Sequence, residues 1–388
     1  KGGALATSAT TLADADAVVN AARRSLAAAQ PATLADFAIT ARVERDTRNA
    51  DEAVSARVDR PGEVRRLASA LVDEARAAHE GDALVIEGEV GVERGARALV
   101  TKRGEPVVAQ VTGVGAFVMI DGNDWDAWSS THAPADAVIT GIGRALVASL
   151  PSREVSCGEF FGGSREVTAV LHPRLVEGLL RGLLLERVAL DRVLAGLSNA
   201  KVGETLAHPS FTLVDDTGAA RSRRGAPTDD EGTPGQRKVV IGEGTLRALV
   251  SDRRTAALGG HGASTGNGYR IPILAEDRAE APVRVGFGHL EVAPGDVSRD
   301  ALVKGRTVLI TDLLGMHSAN KATGAFNNPI QGGLALEDGV PVARLRPGAW
   351  SATGNFYHVL RALTGLSRER LDTGGALVPW VAGPVQVA

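Results

Sequence analysis

The chain is predicted to be α+β, with an N-terminal domain of mixed helices and strands over residues 1–160. A curved, barrel-like antiparallel β domain follows over 161–388, built around one long buried helix. Three observations predict it. The first half alternates hydrophobic periods of about 3.6 and 2 residues, as helices interspersed with strands require. The second half holds seven short strand-like runs for two or three helices, with turn residues between them. Where the halves meet, Pro173 opens a segment that includes Leu179-Leu180 and Leu183-Leu184-Leu185, a helix apolar on nearly every side.

The opening ten residues are small and polar and are expected to fray. Residues 12–30 carry Ala15, Val19, Ala22 and Leu26 at helical spacing, and Pro31 stops them. Residues 37–44 alternate as a half-buried strand. Pro61 stands at a first helical turn, and 63–79 puts Val64, Leu67, Leu71 and Ala75 on one face. Strands are expected at 83–89, 96–101, 107–112 and 116–120, then a helix over 133–150 between Pro134 and Pro151. The run Asp121-Gly122-Asn123-Asp124-Trp125-Asp126 resembles a calcium loop at first sight. That loop needs Gly sixth and Glu twelfth, and Asp126 and His132 stand there, so a solvated turn is expected. Residues 151–165 read as the domain connection. Beyond them come a strand at 166–171, the helix at 173–197, and strands at 211–214, 238–241, 246–251, 283–291, 307–311, 333–336 and 340–345.

With 44% hydrophobic and 23% charged residues the chain is ordinary globular material, and a net charge of −3 gives no reason to expect nucleic acid. No apolar run approaches the roughly 20 residues that span a bilayer, and no charged-then-apolar signal pattern opens the sequence. A single cysteine, Cys157, excludes an internal disulfide, fits a reducing cytoplasm, and reads as a small buried residue.

The densest chemistry lies between 211 and 270. Asp215 and Asp216, the run Thr228-Asp229-Asp230-Glu231-Gly232, Ser251-Asp252-Arg253-Arg254-Thr255 and Ser264-Thr265-Gly266-Asn267 all flank one hairpin, whose turn is Gly242-Glu243-Gly244. Any one such cluster is more often a loop. The three runs that accompany the Asp215-Asp216 pair around one hairpin read as the rim of a site. Adjacent Asp229, Asp230 and Glu231 point in different directions in a loop, so an acid and base pair is not their natural role. Pairing of Asp230 or Glu231 with Arg237 or Arg253 would fix the hairpin. Ser264, Thr265 and Asn267 are candidate donors to an extended peptide. The histidines are scattered, and His261 and His317 rank first because both sit in loops beside the motifs of this half of the chain, with glycine close by.

The order Asp-Asp-Glu-Gly, Arg237, hairpin, Arg254-Thr255-Ala256 and Ser264-Thr265-Gly266-Asn267 resembles the C-terminal half of the TldD/PmbA family. Residues 309–315, the turn Thr323-Gly324-Ala325-Phe326, the hairpin around Asp338-Gly339 and Gly354-Asn355 before the last helix agree in order. The similarity covers about 166–388. Ala325 and Asn327 replace the family's Asp and Ser in that turn, and the Gly259-Gly260-His261-Gly262 loop is longer. In TldD-type members the long helix carries His-Glu-x-x-x-His, which binds zinc. The resemblance places Arg181, Gly182 and Glu186 at those positions and Leu313 near the third ligand, a cysteine. Arginine has no lone pair for a metal and glycine no side chain to act as base. What the resemblance implies is the TldE-type branch, with no catalytic residue, metal or cofactor in this chain. Zinc is expected in a TldD-type partner of a cytoplasmic heterodimer that cuts small or unfolded peptides, including precursors of peptide natural products. Two further readings stay open: a metal-independent binding or regulatory homodimer, and a repurposed biosynthetic enzyme.

Overall fold

The computed structural model describes residues 46–79, 84–99, 107–271 and 281–388, and the backbone of a short antiparallel pair, β1 (Gly3–Leu5) with β2 (Gln30–Ala32). Apart from Gln30, the helix expected over 12–30 and the strand over 37–44 lie outside the described residues.

A four-stranded sheet comes first: β3 (Asp46–Asn49), β4 (Ile86–Leu99), β5 (Val107–Ile120) and β6 (Asp124–Ser130), with β5 paired to all three others. The four strands expected between 83 and 120 are two long ones, which run on through Gly88, Gly91, Gly95, Gly113 and Gly115. A Cβ on Gly88 would stand 2.6 Å from Val72 Cγ2, and one on Gly113 would meet Glu93 and Arg223. These glycines admit close neighbours. Helices Glu52–Val58, capped by Asp51, Pro61–Ala77 and Asp136–Ser149 cover one face. Leu67, Leu71 and Ala75 are buried as the period predicts, and Gly143 lets the two longer helices touch, since its Cβ would lie 2.8 Å from that of Ala75. Asp121 and Gly122 both have positive φ in the three-residue β5–β6 turn, which Asn123 N–H closes onto Ile120 O at 3.1 Å.

A twelve-stranded sheet follows: β7 (Glu154–Val155), β8 (Arg165–Leu171), β9 (Leu213–Asp216), β10 (Arg237–Gly242), β11 (Thr245–Leu246), β14 (His289–Val292), β15 (Arg306–Leu313), β16 (Ala325–Glu337), β17 (Val340–Leu345), β18 (Ser351–Asn355), β19 (Gly365–Asp372) and β20 (Ala376–Val387). Two short strands, β12 (Gly268–Arg270) and β13 (Val283–Val285), pair separately. Five strands close a ring: β8 pairs β15, β15 pairs β16, β16 pairs β18, β18 pairs β20 and β20 returns to β8. The barrel is closed, and closure removes open edges.

Several expectations need correction. The sheet is not wholly antiparallel, since β8–β15, β14–β20 and β7–β17 are parallel. The strand at 283–291 is two. That at 246–251 shrinks to Thr245–Leu246, although Arg247 N–H still reaches Val240 O at 2.8 Å. β18, β19 and β20 went unanticipated: Pro379 and Pro384 argue against a strand, yet both lie in β20.

The long helix also departs from its pattern. His172 caps Pro173–Leu179, Leu180–Leu184 is a π-helical turn, and Leu185–Val188 returns to α geometry. The chain then opens at Ala189, with ψ of 128°, before Leu190–Leu194. Nothing in an alanine breaks a helix. The break follows from tertiary pairing, because Leu190 N–H donates to Val250 O and Val250 N–H to Val188 O. Leu175, Val176, Leu179, Leu180, Leu183, Leu184 and Val188 are buried in the main core with Phe356, Val359 and Leu360.

Candidate functional site

The polar stretch between 211 and 270 folds inward. Asp215, fully buried in β9, accepts from Asn267 Nδ2 at 2.6 Å and from Gly288 N–H at 2.8 Å, and lies 3.1 Å from Lys238 Nζ. Asp229 accepts the N–H groups of Glu231, Thr233 and Gly268, while burial pushes its carboxyl up against those bonds. Asp230 accepts from Arg270 N–H and pairs with Arg97 at 2.8 Å. Glu231 accepts from Arg253 N–H at the start of helix Arg253–Leu258, and burial lifts its carboxyl to about 7. Gly268 is required beside it, because a Cβ there would lie 2.5 Å from Glu231 Oε2.

Of the expected pairings, Glu231 meets Arg253 through its backbone N–H, whereas Arg237 goes elsewhere. Arg237 pairs with Glu291 and Asp216, and Arg253 Nε donates to Thr233 Oγ1. Ser264 Oγ donates to Ser251 O, Thr265 Oγ1 lies 2.7 Å from Asn267 Oδ1, and Asn267 Nδ2 also donates to Gly286 O. These side chains brace loops rather than present donors to a peptide. Asn355 is likewise structural: it caps helix Phe356–Arg361 and donates to Thr323 O. His261 is exposed in its glycine loop.

Open space lies beside the π turn. Gly182 has nothing within 4 Å of where its Cβ would be. It lines a cavity of about 510 Å³ with Leu179, Leu183, Leu313 and Met316, whose polar residues include Asp312, Thr311, Arg174, Lys321 and exposed His317. Trp125 of β6 closes one wall, donating to Asp312 at 3.3 Å, and Arg174 lies 3.2 Å from Asp126. Glu186 pairs with Arg192 at 2.5 Å and with Lys321 at 3.7 Å. Arg181 is held on the other side: Nε binds Glu177 at 2.8 Å, and the two terminal nitrogens donate to the carbonyls of Phe287, Gly288 and Gly375.

Residues 164–385 match the model of the PmbA/TldA metallopeptidase C-terminal domain, more than half of the chain. The chain belongs to the PmbA/TldD family. A metalloprotease TldD homolog of Haemophilus influenzae is 42% identical over 81 residues, 21% of this chain and 16% of that protein. One from Buchnera aphidicola is 32% identical over 130 residues, 33% of this chain and 25% of its own length. The chain therefore spans at most a quarter of those two relatives in the matched parts. TldE from Thermococcus kodakarensis shares the fold, with a TM-score of 0.73 at 20% identity over 96% of this chain and 84% of that one.

Of the positions that the resemblance aligns with the zinc motif, the structure brings Gly182 and Leu313 to one cavity, which His317 also lines, and turns Arg181 away from it toward backbone carbonyls. Among the described residues no group of three His, Cys, Asp or Glu side chains is placed to hold a metal ion. Sequence reasoning missed Arg97, Trp125, Arg174 and Tyr269. Each acts across tens to hundreds of residues of sequence, so no local spacing signals it. His172, half-buried and packed edge-on against Trp380, is pushed down to about 3 by desolvation, with Arg174 adding to the shift, hence neutral. Cys157 is buried and its thiol is raised, in keeping with a packing role. No helix among the described residues is long and apolar enough to cross a membrane.

Proposed function

We propose that this chain is the metal-free, TldE-like subunit of a heterodimeric TldD/TldE-type zinc peptidase that processes small or unfolded peptides. One observation carries the reading: the helix positions where the resemblance expects zinc ligands hold Arg181, Gly182 and Glu186, with Leu313 at the third. Their environment fits no zinc. Arg181 is fastened to a carboxylate and three carbonyls, Glu186 is ion-paired, and Leu313 is buried and apolar. A guanidinium beside the position would repel a dication and offers it no lone pair. The proposed role of the chain is to shape the peptide path, with the cavity at Gly182 receiving an apolar side chain and Lys321 and His317 lying beside it. A partner of TldD type would supply zinc, the activated water and the cut.

The family likeness, a TldE fold neighbour and curated relatives named as metalloproteases support this reading. Mixing the purified chain with a TldD-type chain that carries His-Glu-x-x-x-His tests it. Hydrolysis of an unfolded peptide by the mixture, with none by this chain alone, is expected. Turnover by this chain alone, or a mixture no more active than the TldD-type chain, overturns it.

A further inference from the structure

A second cavity, of about 550 Å³, lies where the N-terminal sheet meets the β12–β13 region, on the Arg181 side of the helix. Five arginines line it: Arg97, Arg181, Arg223, Arg224 and Arg270. Asp46 is the one carboxylate among its described walls, and it is tied to Arg48 at 2.7 Å. Three of the arginines are ion-paired from outside the lining, Arg97 with Asp230, Arg181 with Glu177 and Arg223 with Glu93, and Arg270 Nη1 donates to Ala281 O at 2.9 Å. Such bracing orients the planar forks, and oriented guanidinium groups bind carboxylates with charge-assisted hydrogen bonds.

Two features make this more than a charged crevice. Leu185, Ile271 and Phe287 line it with the arginines, so it offers apolar surface beside the positive charge. Tyr269 lines it too, and its enclosed hydroxyl has no hydrogen-bond partner among the described residues. An enclosed polar group left unpaired costs roughly 1–3 kcal/mol, which a ligand or water can relieve.

We propose that this cavity binds the carboxylate groups of an acidic peptide that also carries apolar side chains. The proposal deepens the peptide-processing reading and rests on it, adding the class of peptide. The walls favour a peptide over a bare inorganic anion, which would leave the leucine, isoleucine and phenylalanine surface wet. A ligand here would touch both β3–β5 and the helix that carries Arg181, so it would bridge the two sheets.

Fluorescence anisotropy on the whole chain tests it, with a labelled Glu-Leu-Glu-Leu peptide, the same peptide with glutamine for glutamate, and inorganic phosphate as competitor. The acidic peptide is expected to bind about tenfold or more tightly than its glutamine form, the effect of one charge-assisted contact. Its affinity should fall as salt rises. Arg223→Gln and Arg224→Gln should each weaken it several-fold with unchanged Tm, whereas Arg165→Gln, outside the lining, should not. Tyr269→Phe should weaken binding without lowering Tm, because the hydroxyl has no partner to lose. Equal binding of the two peptides, or indifference to both arginine changes, overturns the proposal. So does phosphate binding with no acidic-peptide binding. If the peptide fails to bind while the mixture with a TldD-type chain still cuts, the cavity assignment falls and the subunit reading stands. If the peptide binds but no partner-dependent hydrolysis follows, the cavity assignment stands and the subunit reading falls.

Discussion

The loops around Asp215 and the helix around Arg181 use polar residues in opposite ways. In the first, every carboxylate meets donors from the same fold: Asp215 holds Asn267, Lys238 and Gly288, and Asp229 holds three backbone N–H groups. In the second, side chains leave room: Gly182 borders empty space, and Arg181 lines a cavity shared with the N-terminal sheet, the 223–227 loop and β12. The motif-rich region is the rigid one. Space for a ligand lies beside the helix.

The largest way to break this contrast is to remove Asp215. Asp215→Ala leaves Lys238, Asn267 and Gly288 N–H without their buried acceptor, and should cost about 3–5 kcal/mol in denaturant unfolding. A loss under about 1 kcal/mol would mean that the cluster is not the brace described.

Glu231 sharpens the comparison next. Its folded carboxyl titrates at about 7 against an ordinary 4.5, so between those values the folded protein keeps a proton that the unfolded chain has released. Its contribution is therefore complete below about 4.5 and is lost as pH rises toward 7. Part exposure screens the charge, which leaves an effect on the order of 2 kcal/mol. Glu231→Gln should flatten the fall of Tm across that window, and an unchanged slope would show that the carboxyl titrates normally.

The smallest effect belongs to the open side. Gly182→Ala puts a methyl into empty space in a helix interior, and should stabilise the chain by up to about 1 kcal/mol. Destabilisation instead would show the space to be filled.

Much of the fold was legible. Leu67, Leu71 and Ala75 marked a buried helical face, and Asp338-Gly339 marked a turn that closes β16 onto β17 with positive φ at both residues. Ring closure was less so, because β18 and β20 carry Gly354, Pro379, Gly383 and Pro384, whose local preferences oppose the strands that pairing imposes. Ala189 shows the same override within the helix. For the candidate site, the sequence marked Arg181, Gly182 and Asp230 but mistook inward-facing braces such as Ser264 and Asn267 for ligand donors. Composition tells a polar loop from an apolar one, but not which way its hydrogen bonds face. Arg97 meets Asp230 from more than a hundred residues away, a contact that only folding creates.

The most direct test is zinc content and zinc titration of the purified chain under conditions that load a TldD-type protein. Substoichiometric metal, unchanged by Glu186→Gln, is the predicted result. One tightly held zinc per chain, lost on changing Glu186 or His317, would contradict it.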